Sequence, residues 1–231
     1  PLAGAGDTIS AGAGENLVLG GTGGDWITAL GGNDLMVGDQ GVIAYTDGKA
    51  AQIDSNDGAD GEAGDDVITA GGGDNRVLGG LGFDTITALE GRDVILGDQG
   101  KVTLLATGVV SRIESLDPGR GGNDFIESGA GADVVLGGFG GDRVTIDAGD
   151  DLLLGDSGVV TQTESGALQG VQIIAPDQGG NDTLLGNEGN DVLIGGFASD
   201  ELNGHDGNDV IVGDNAVLDY AAGVLAKIAT T

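Results

Sequence analysis

Asp or Asn recurs every nine residues in four runs: Asp7, Asn16, Asp25 and Asp34; Asp66, Asn75, Asp84 and Asp93; Asp124, Asp133, Asp142 and Asp151; Asp182, Asp191, Asp200 and Asp209. Two places before each, glycine stands in fourteen of the sixteen units, the exceptions being Ala5 and Ala198. Two places after, the residue is always apolar, from Ile9 to Ile211. Chance does not hold three positions in register over sixteen units. A carboxylate in a glycine-rich turn offers hard oxygen donors, one side chain plus exposed carbonyls, and that is the chemistry of a cation such as Ca2+, which takes six to eight oxygens. Turns stacked about 5 Å apart would set like charges against each other at about 1 kcal/mol or more per pair unless a cation lay between them. An Asp that merely satisfies its own turn explains one unit. It does not explain sixteen in a chain with 38 Asp+Glu against 8 Lys+Arg and a net charge of −30.

These turns need elements to hold them. The last units of the four runs, Asp34, Asp93, Asp151 and Asp209, lie 59, 58 and 58 residues apart. Each run closes on a Gly-Asp pair: Gly38-Asp39, Gly97-Asp98, Gly155-Asp156 and Gly213-Asp214. The residue after the apolar position is polar in seven of eight odd units, Thr28 and Thr87 among them. It is apolar in all eight even units, among them Leu78, Leu96 and Leu154. The true repeat is therefore eighteen residues: two unlike short strands, one on each face of a flattened helical coil, with the apolar residue of each pointing into the narrow interior. The segments between runs alternate apolar residues about a turn, as in Val42–Thr46, Asp47-Gly48, then Lys49–Ile53, and predict hairpins. Equivalent stretches are 102–106 with 109–113, 159–163 with 168–174, and 217–220 with 224–228. An isoleucine recurs near each second-strand end: Ile53, Ile113, Ile173 and Ile228. We expect these hairpins at the edges of, or as caps between, short rolls. The blocks run 1–60, 61–118, 119–176 and 177–231, each with its hairpin.

The nonapeptide stands almost intact in Gly20-Gly21-Thr22-Gly23-Gly24-Asp25-Trp26-Ile27-Thr28, and again at Gly79–Thr87 and Gly137–Thr145. This resembles the repeat-in-toxin (RTX) calcium-binding family. The resemblance covers all four blocks. It implies an all-β parallel β-roll, a solenoid in four blocks of about 58 residues interrupted by β-hairpins, with Ca2+ clamped between successive turns by Asp carboxylates and turn carbonyls. Carried onto this chain, the ligands fall on two edges. On one are Asp7, Asp25 and Asp39; Asp66, Asp84 and Asp98; Asp124, Asp142 and Asp156; and Asp182, Asp200 and Asp214. On the other are Asp34, Asp93, Asp133, Asp151, Asp191 and Asp209. That second edge is less regular, because Asn16 and Asn75 lack charge and Arg92 intrudes. In the fourth block Ala198-Ser199 departs from the pattern on the first edge too. Charge balance points to ten to fifteen ions, close to one per turn, since about fifteen Ca2+ would cancel −30.

Composition bounds the rest. Fifty glycines in 231 residues far exceed the usual share of about 7%. Such acidity repels phosphate, so no nucleic-acid partner is expected. With no cysteine, disulfides and cysteine zinc sites are excluded. No apolar run is long enough to cross a bilayer as a helix, and no signal peptide is expected. The single histidine, His205, sits in a turn with no partner at catalytic spacing. The glycine loops lack the Lys and helix of a phosphate site. Trp26, Phe83, Phe139 and Phe197 fall in or beside turns. No catalytic constellation exists and no enzyme is expected. We expect a structural, calcium-rigidified module of a larger secreted bacterial protein, at the cell surface in a surface layer, adhesin stalk or filament. Its partners would be neighbouring copies or further repeats, with no membrane insertion. The alternative is an accessory secretion domain of a secreted enzyme exported by a type I system. The phase of Lys227–Thr231 joined to Pro1-Leu2 matches Ile113–Pro118, as a window from a longer array would.

Overall fold

The computed structural model describes residues 4–55 and 64–231; the boundary expected between residues 60 and 61, and the join at Pro1-Leu2, lie outside them. The first block contains β1 (Thr8–Ser10), β2 (Leu17–Leu19), β3 (Trp26–Thr28) and β4 (Leu35–Val37), then the hairpin β5 (Gly41–Thr46) and β6 (Lys49–Ser55). The second contains β7 (Val67–Thr69), β8 (Arg76–Leu78), β9 (Thr85–Thr87), β10 (Val94–Leu96), β11 (Gly100–Leu104) and β12 (Val110–Ser115). The third contains β13 (Phe125–Ala130), β14 (Val134–Gly138), β15 (Arg143–Ala148), β16 (Leu152–Asp156), β17 (Gly158–Gln162) and β18 (Leu168–Ile173). The fourth contains β19 (Thr183–Leu185), β20 (Val192–Gly196), β21 (Glu201–Asn203), β22 (Val210–Asp214), β23 (Ala216–Ala221) and β24 (Val224–Thr230).

Odd units form one eight-stranded parallel sheet, β1-β3-β7-β9-β13-β15-β19-β21, and even units form another, β2-β4-β8-β10-β14-β16-β20-β22. The register is the nonapeptide register: Ile27 pairs with Ile68, Ile86 with Ile126 and Ile95 with Val135. The apolar residue of each unit faces the partner sheet, and Ile27, Met36, Ile68, Val77, Ile86 and Ile95 are fully buried there in one core. Strands of three residues are too short to stand alone, and they persist because each has a neighbour on both sides.

The hairpins differ from expectation. They are neither edge elements nor caps between short rolls. Parallel pairing crosses every block junction, β3 to β7, β9 to β13 and β15 to β19, so the roll is one uninterrupted stack. The four hairpins form a third, antiparallel sheet, β24-β23-β18-β17-β12-β11-β6-β5. The reason lies in the period-2 alternation of a strand. The middle residue of an even strand faces inward, so its neighbours face outward. Leu78, Leu96, Leu136, Leu154 and Ile194 are those outward residues, and they are buried against Ile53, Val102, Ile113, Val160 and Val171 of the hairpins. The outer face of the odd sheet carries mostly Thr and other polar residues, with Trp26, Val67, Phe125 and Leu185 among them, and no sheet covers it among the described residues.

The closing Gly-Asp pairs also find a different place. Asp25 N–H donates to Asp66 Oδ1 at 2.7 Å, and Asp84 N–H to Asp124 Oδ1 at 2.8 Å. Asp39 and Asp98 are therefore not extra rungs between these pairs. Gly97-Asp98 is the first half of the same turn that ends in Gly122-Asn123-Asp124, and the hairpin is inserted within that turn. Asp98 accepts N–H bonds from Gly122 on the returning strand and from Phe139 in the following turn. Asp156 holds Gly180 and Phe197 in the same way, and Asp39 holds Gly64 and Leu81.

Candidate metal centre

The turns stack into two files of side chains, one on each edge of the roll. On the first edge each rung's backbone N–H donates to Oδ1 of the next: Asp7 to Asp25, Asp25 to Asp66, Asp66 to Asp84, Asp84 to Asp124, Asp124 to Asp142, Asp142 to Asp182 and Asp182 to Asp200, at 2.7–3.0 Å. The second edge repeats this through Asn16, Asp34, Asn75, Asp93, Asp133, Asp151, Asp191 and Asp209 at the same distances. One oxygen of each carboxylate is thus spent on the ladder, and the other decides the chemistry.

Oδ2 is buried without a hydrogen-bond partner in Asp34, Asp93, Asp151 and Asp191 on the second edge and in Asp25, Asp84, Asp124, Asp142, Asp182 and Asp200 on the first. A buried ionised oxygen with nothing to compensate it costs several kcal/mol. On the first edge each sits against a glycine that leads a turn, where a side chain would have no room. A Cβ placed on Gly79 would stand 2.1 Å from the Gly97 carbonyl oxygen and 2.4 Å from Asp84 Oδ2. The same seat, a carboxylate oxygen facing the leading-glycine carbonyl of the next turn, recurs at Gly20, Gly38, Gly97, Gly137, Gly155 and Gly195. Among the described residues no three Asp, Glu or His side chains converge. Each seat is built from one carboxylate per turn and backbone carbonyls. This all-oxygen, anionic donor set fits a hard divalent cation of the size of Ca2+.

The electrostatics agree. Burial first, then the Asp124 charge beside them, pushes the Asp84 and Asp142 carboxyls well above the ordinary carboxylate range. Burial raises Asp124 to about 7 and Asp182 to about 8. Asp98 is pushed well above its ordinary value by burial and by Asp124 and Asp142, and Asp156 to about 7 by burial. On the second edge burial raises Asp93 to about 6 and Asp151 to about 7.

Of the expected ligands, the first-edge rungs line open seats, whereas Asp39, Asp98 and Asp156 hold turn N–H groups as described above. Asp214 is exposed at the end of β22. Arg92 pairs with Asp74 on the neighbouring second-edge turn at 3.5 Å, in solvent. His205 is an exposed turn residue with φ 62°. The regularity of two second-edge turns, those of Asp191 and Asp209, is not evident from the repeat pattern alone. Gly186-Asn187-Glu188-Gly189-Asn190-Asp191 and Gly204-His205-Asp206-Gly207-Asn208-Asp209 have the complete turn form on the second edge, with Asn187 and His205 adopting the left-handed conformation usually given to glycine.

Fold and donor set together define a parallel β-roll whose stacked turns offer the oxygen donors that calcium takes. The family model described as the RTX calcium-binding nonapeptide repeat (4 copies) matches residues 10–42, 53–86, 69–104, 119–144 and 178–215. The chain belongs to this family and is a calcium-binding repeat module. No curated protein matches it.

Proposed function

We propose that the chain is a structural, non-enzymatic module of a larger secreted bacterial protein, built in four blocks of about 58 residues and folded and rigidified by external Ca2+. The observation that carries this reading is the file of buried Oδ2 atoms along the first edge, aimed into glycine seats. With these charges facing one another the roll works against itself, and with calcium between them the same charges cross-link adjacent coils. Ligands from separate turns converge only in the folded state, so binding free energy is folding free energy. A protein exported through a low-calcium cytosol would stay unfolded there and fold outside. Its partners would be further repeats or neighbouring copies at the cell surface. The test is far-ultraviolet circular dichroism of the 231-residue chain at pH 7.5. We expect little β signal in chelator and a cooperative gain on millimolar Ca2+. A full β spectrum in chelator at that pH would defeat the proposal.

A further inference from the structure

The two edges differ at one position, the residue that leads each turn, five places before its Asp or Asn. On the first edge it is the seat glycine in the uninterrupted turns, Gly20, Gly79, Gly137 and Gly195, and in the turns that a hairpin splits the seat glycine is Gly38, Gly97 or Gly155, before the hairpin. On the second edge it is Ala11, Ala29, Ala70, Ala88, Ser128 and Ile146 over six rungs, and glycine only at Gly186 and Gly204. Ala29, Ala70, Ala88 and Ile146 are buried in the inner core. Ser128 alone of these satisfies the carboxylate, its Oγ donating to Asp133 Oδ2 at 2.7 Å, while Oδ2 of Asp34, Asp93 and Asp151, in the turns led by Ala29, Ala88 and Ile146, is buried without a hydrogen-bond partner. That is the oxygen which on the first edge faces the seat. At Gly186 and Gly204 the seat reopens: a Cβ there would stand 2.4 Å from Asp191 Oδ2 and 2.2 Å from Asp209 Oδ2.

The backbone divides at the same place. The second residue of uninterrupted first-edge turns is left-handed, as at Gly21, Gly80, Gly138 and Gly196, and so are Asn187 and His205. None of the second residues of the six other turns, from Gly12 to Asp147, is left-handed. In two of those turns β13 and β15 run straight on as strand and pair Ser128 with Ile146 and Ala130 with Ala148. An extended strand spends its carbonyls on its neighbour and does not gather them about a point. On two of the six rungs an amide already gathers the oxygens. Asn16 Nδ2 donates to Gly12 O, Gly14 O and Asp34 Oδ1 at 2.8–2.9 Å. Asn75 Nδ2 donates to Gly71 O, Gly73 O and Asp93 Oδ1 at 2.8–3.0 Å. Two turn carbonyls and a carboxylate are what a cation would otherwise collect.

We propose that calcium fills the first edge throughout but the second edge only between its last two turns, and that the leading residue of each turn is the gate. The inference rests on the calcium reading above and narrows it. Seven first-edge seats and the one headed by Gly186 take an ion, eight in this chain; the six earlier second-edge rungs lack the leading glycine, although Oδ2 of Asp34, Asp93 and Asp151 is buried there without a hydrogen-bond partner. One side of the roll is then cross-linked by metal and the other by a ladder indifferent to it.

The test is a count. The 231-residue chain is dialysed to equilibrium against millimolar 45Ca2+ at pH 7.5 and bound ions per chain are measured. We expect about eight. Asp93→Asn and Asp34→Asn, which copy the Asn16 and Asn75 rungs, should keep that number. Gly79→Ala and Gly186→Ala should each lower it by at least one. Gly186→Ala lies in the last coils, where local damage spreads least, and so reads the gate even if Gly79→Ala does not fold. A wild-type count of ten or more, a loss of ions in both Asn variants, or an unchanged count in Gly186→Ala overturns the gate. No bound calcium in the wild type would instead overturn the calcium reading itself.

Discussion

Removing calcium while changing pH isolates the cost of the buried first-edge carboxyls. Burial holds Asp124 at about 7 and Asp182 at about 8 against an ordinary 3.8. Both values are raised in the folded state. Their contribution to stability is therefore complete below about pH 4 and is lost as pH rises through 7–8, because folding then requires either a buried charge or a proton taken from dilute solution. At 1.36 kcal/mol per pH unit, the two together cost roughly 9 kcal/mol at pH 8 and roughly 3 kcal/mol at pH 5. The difference, about 6 kcal/mol, is comparable to the whole stability of a typical domain, and Asp84, Asp98 and Asp142 shift in the same direction. We expect the calcium-free chain, stripped on a chelating resin and held in a pH-insensitive chelator, to gain β signal in circular dichroism between pH 8 and pH 5. Millimolar Ca2+ should produce the same spectrum at pH 8. A calcium-free chain that is as ordered at pH 8 as at pH 5 would refute the electrostatic argument.

Three further outcomes follow from the same geometry. Asp84→Ala should cost more calcium affinity than Asp93→Ala in calorimetric titration, because Asp84 faces the open Gly79 seat while Ala88 leads the Asp93 turn; equal losses would count against the division of edges. Ile113→Ala, in a fully buried hairpin side chain, should destabilise the calcium-loaded chain by about 2–5 kcal/mol in urea unfolding, a loss that caps at a roll edge would not show. Asp98→Ala strands the Gly122 and Phe139 N–H donors and should lower the urea midpoint in saturating Ca2+ by the equivalent of about 1–3 kcal/mol per donor.

Much of this molecule is legible in the sequence because one period writes both core and site. The residue two after each Asp became the inner core, apart from the exposed Ile211 of the last unit, and the Asp itself became the rung. The hairpins were visible as alternating strands, down to Ile53, Ile113 and Ile173, which are buried. Their destination was not read, although the signal was present. The apolar third residue of even units, such as Leu96 or Leu154, faces outward by strand alternation and demands a cover, which Ile53, Ile113 and Ile173 help to form, whereas Ile228 of the last hairpin is exposed. The insertion of each hairpin within a turn was hidden because Gly97-Asp98 resembles a turn in itself. Only the Asp84–Asp124 bond reveals that it is half of one. The irregularity of the second edge was noticed through Asn16, Asn75 and Arg92. The gate five residues earlier was not, since Ala29 or Ala88 reads as an ordinary small turn residue until the packing shows it beside the core.

The uninterrupted stack has a mechanical consequence. Eight coils at about 4.8 Å each rise only about 38 Å, whereas 231 residues drawn out straight reach roughly 780 Å. Tension applied along the roll axis runs parallel to the inter-coil hydrogen bonds, so coils and ion bridges bear load in series and yield one after another rather than all at once in shear. Single-molecule pulling with and without calcium would show this as a train of small steps whose force falls when the metal is withdrawn; one concerted rupture would contradict it. On the calcium reading proposed above, such a module would behave as a spool, with the calcium concentration of its surroundings setting both how firmly it is wound and how far it can pay out.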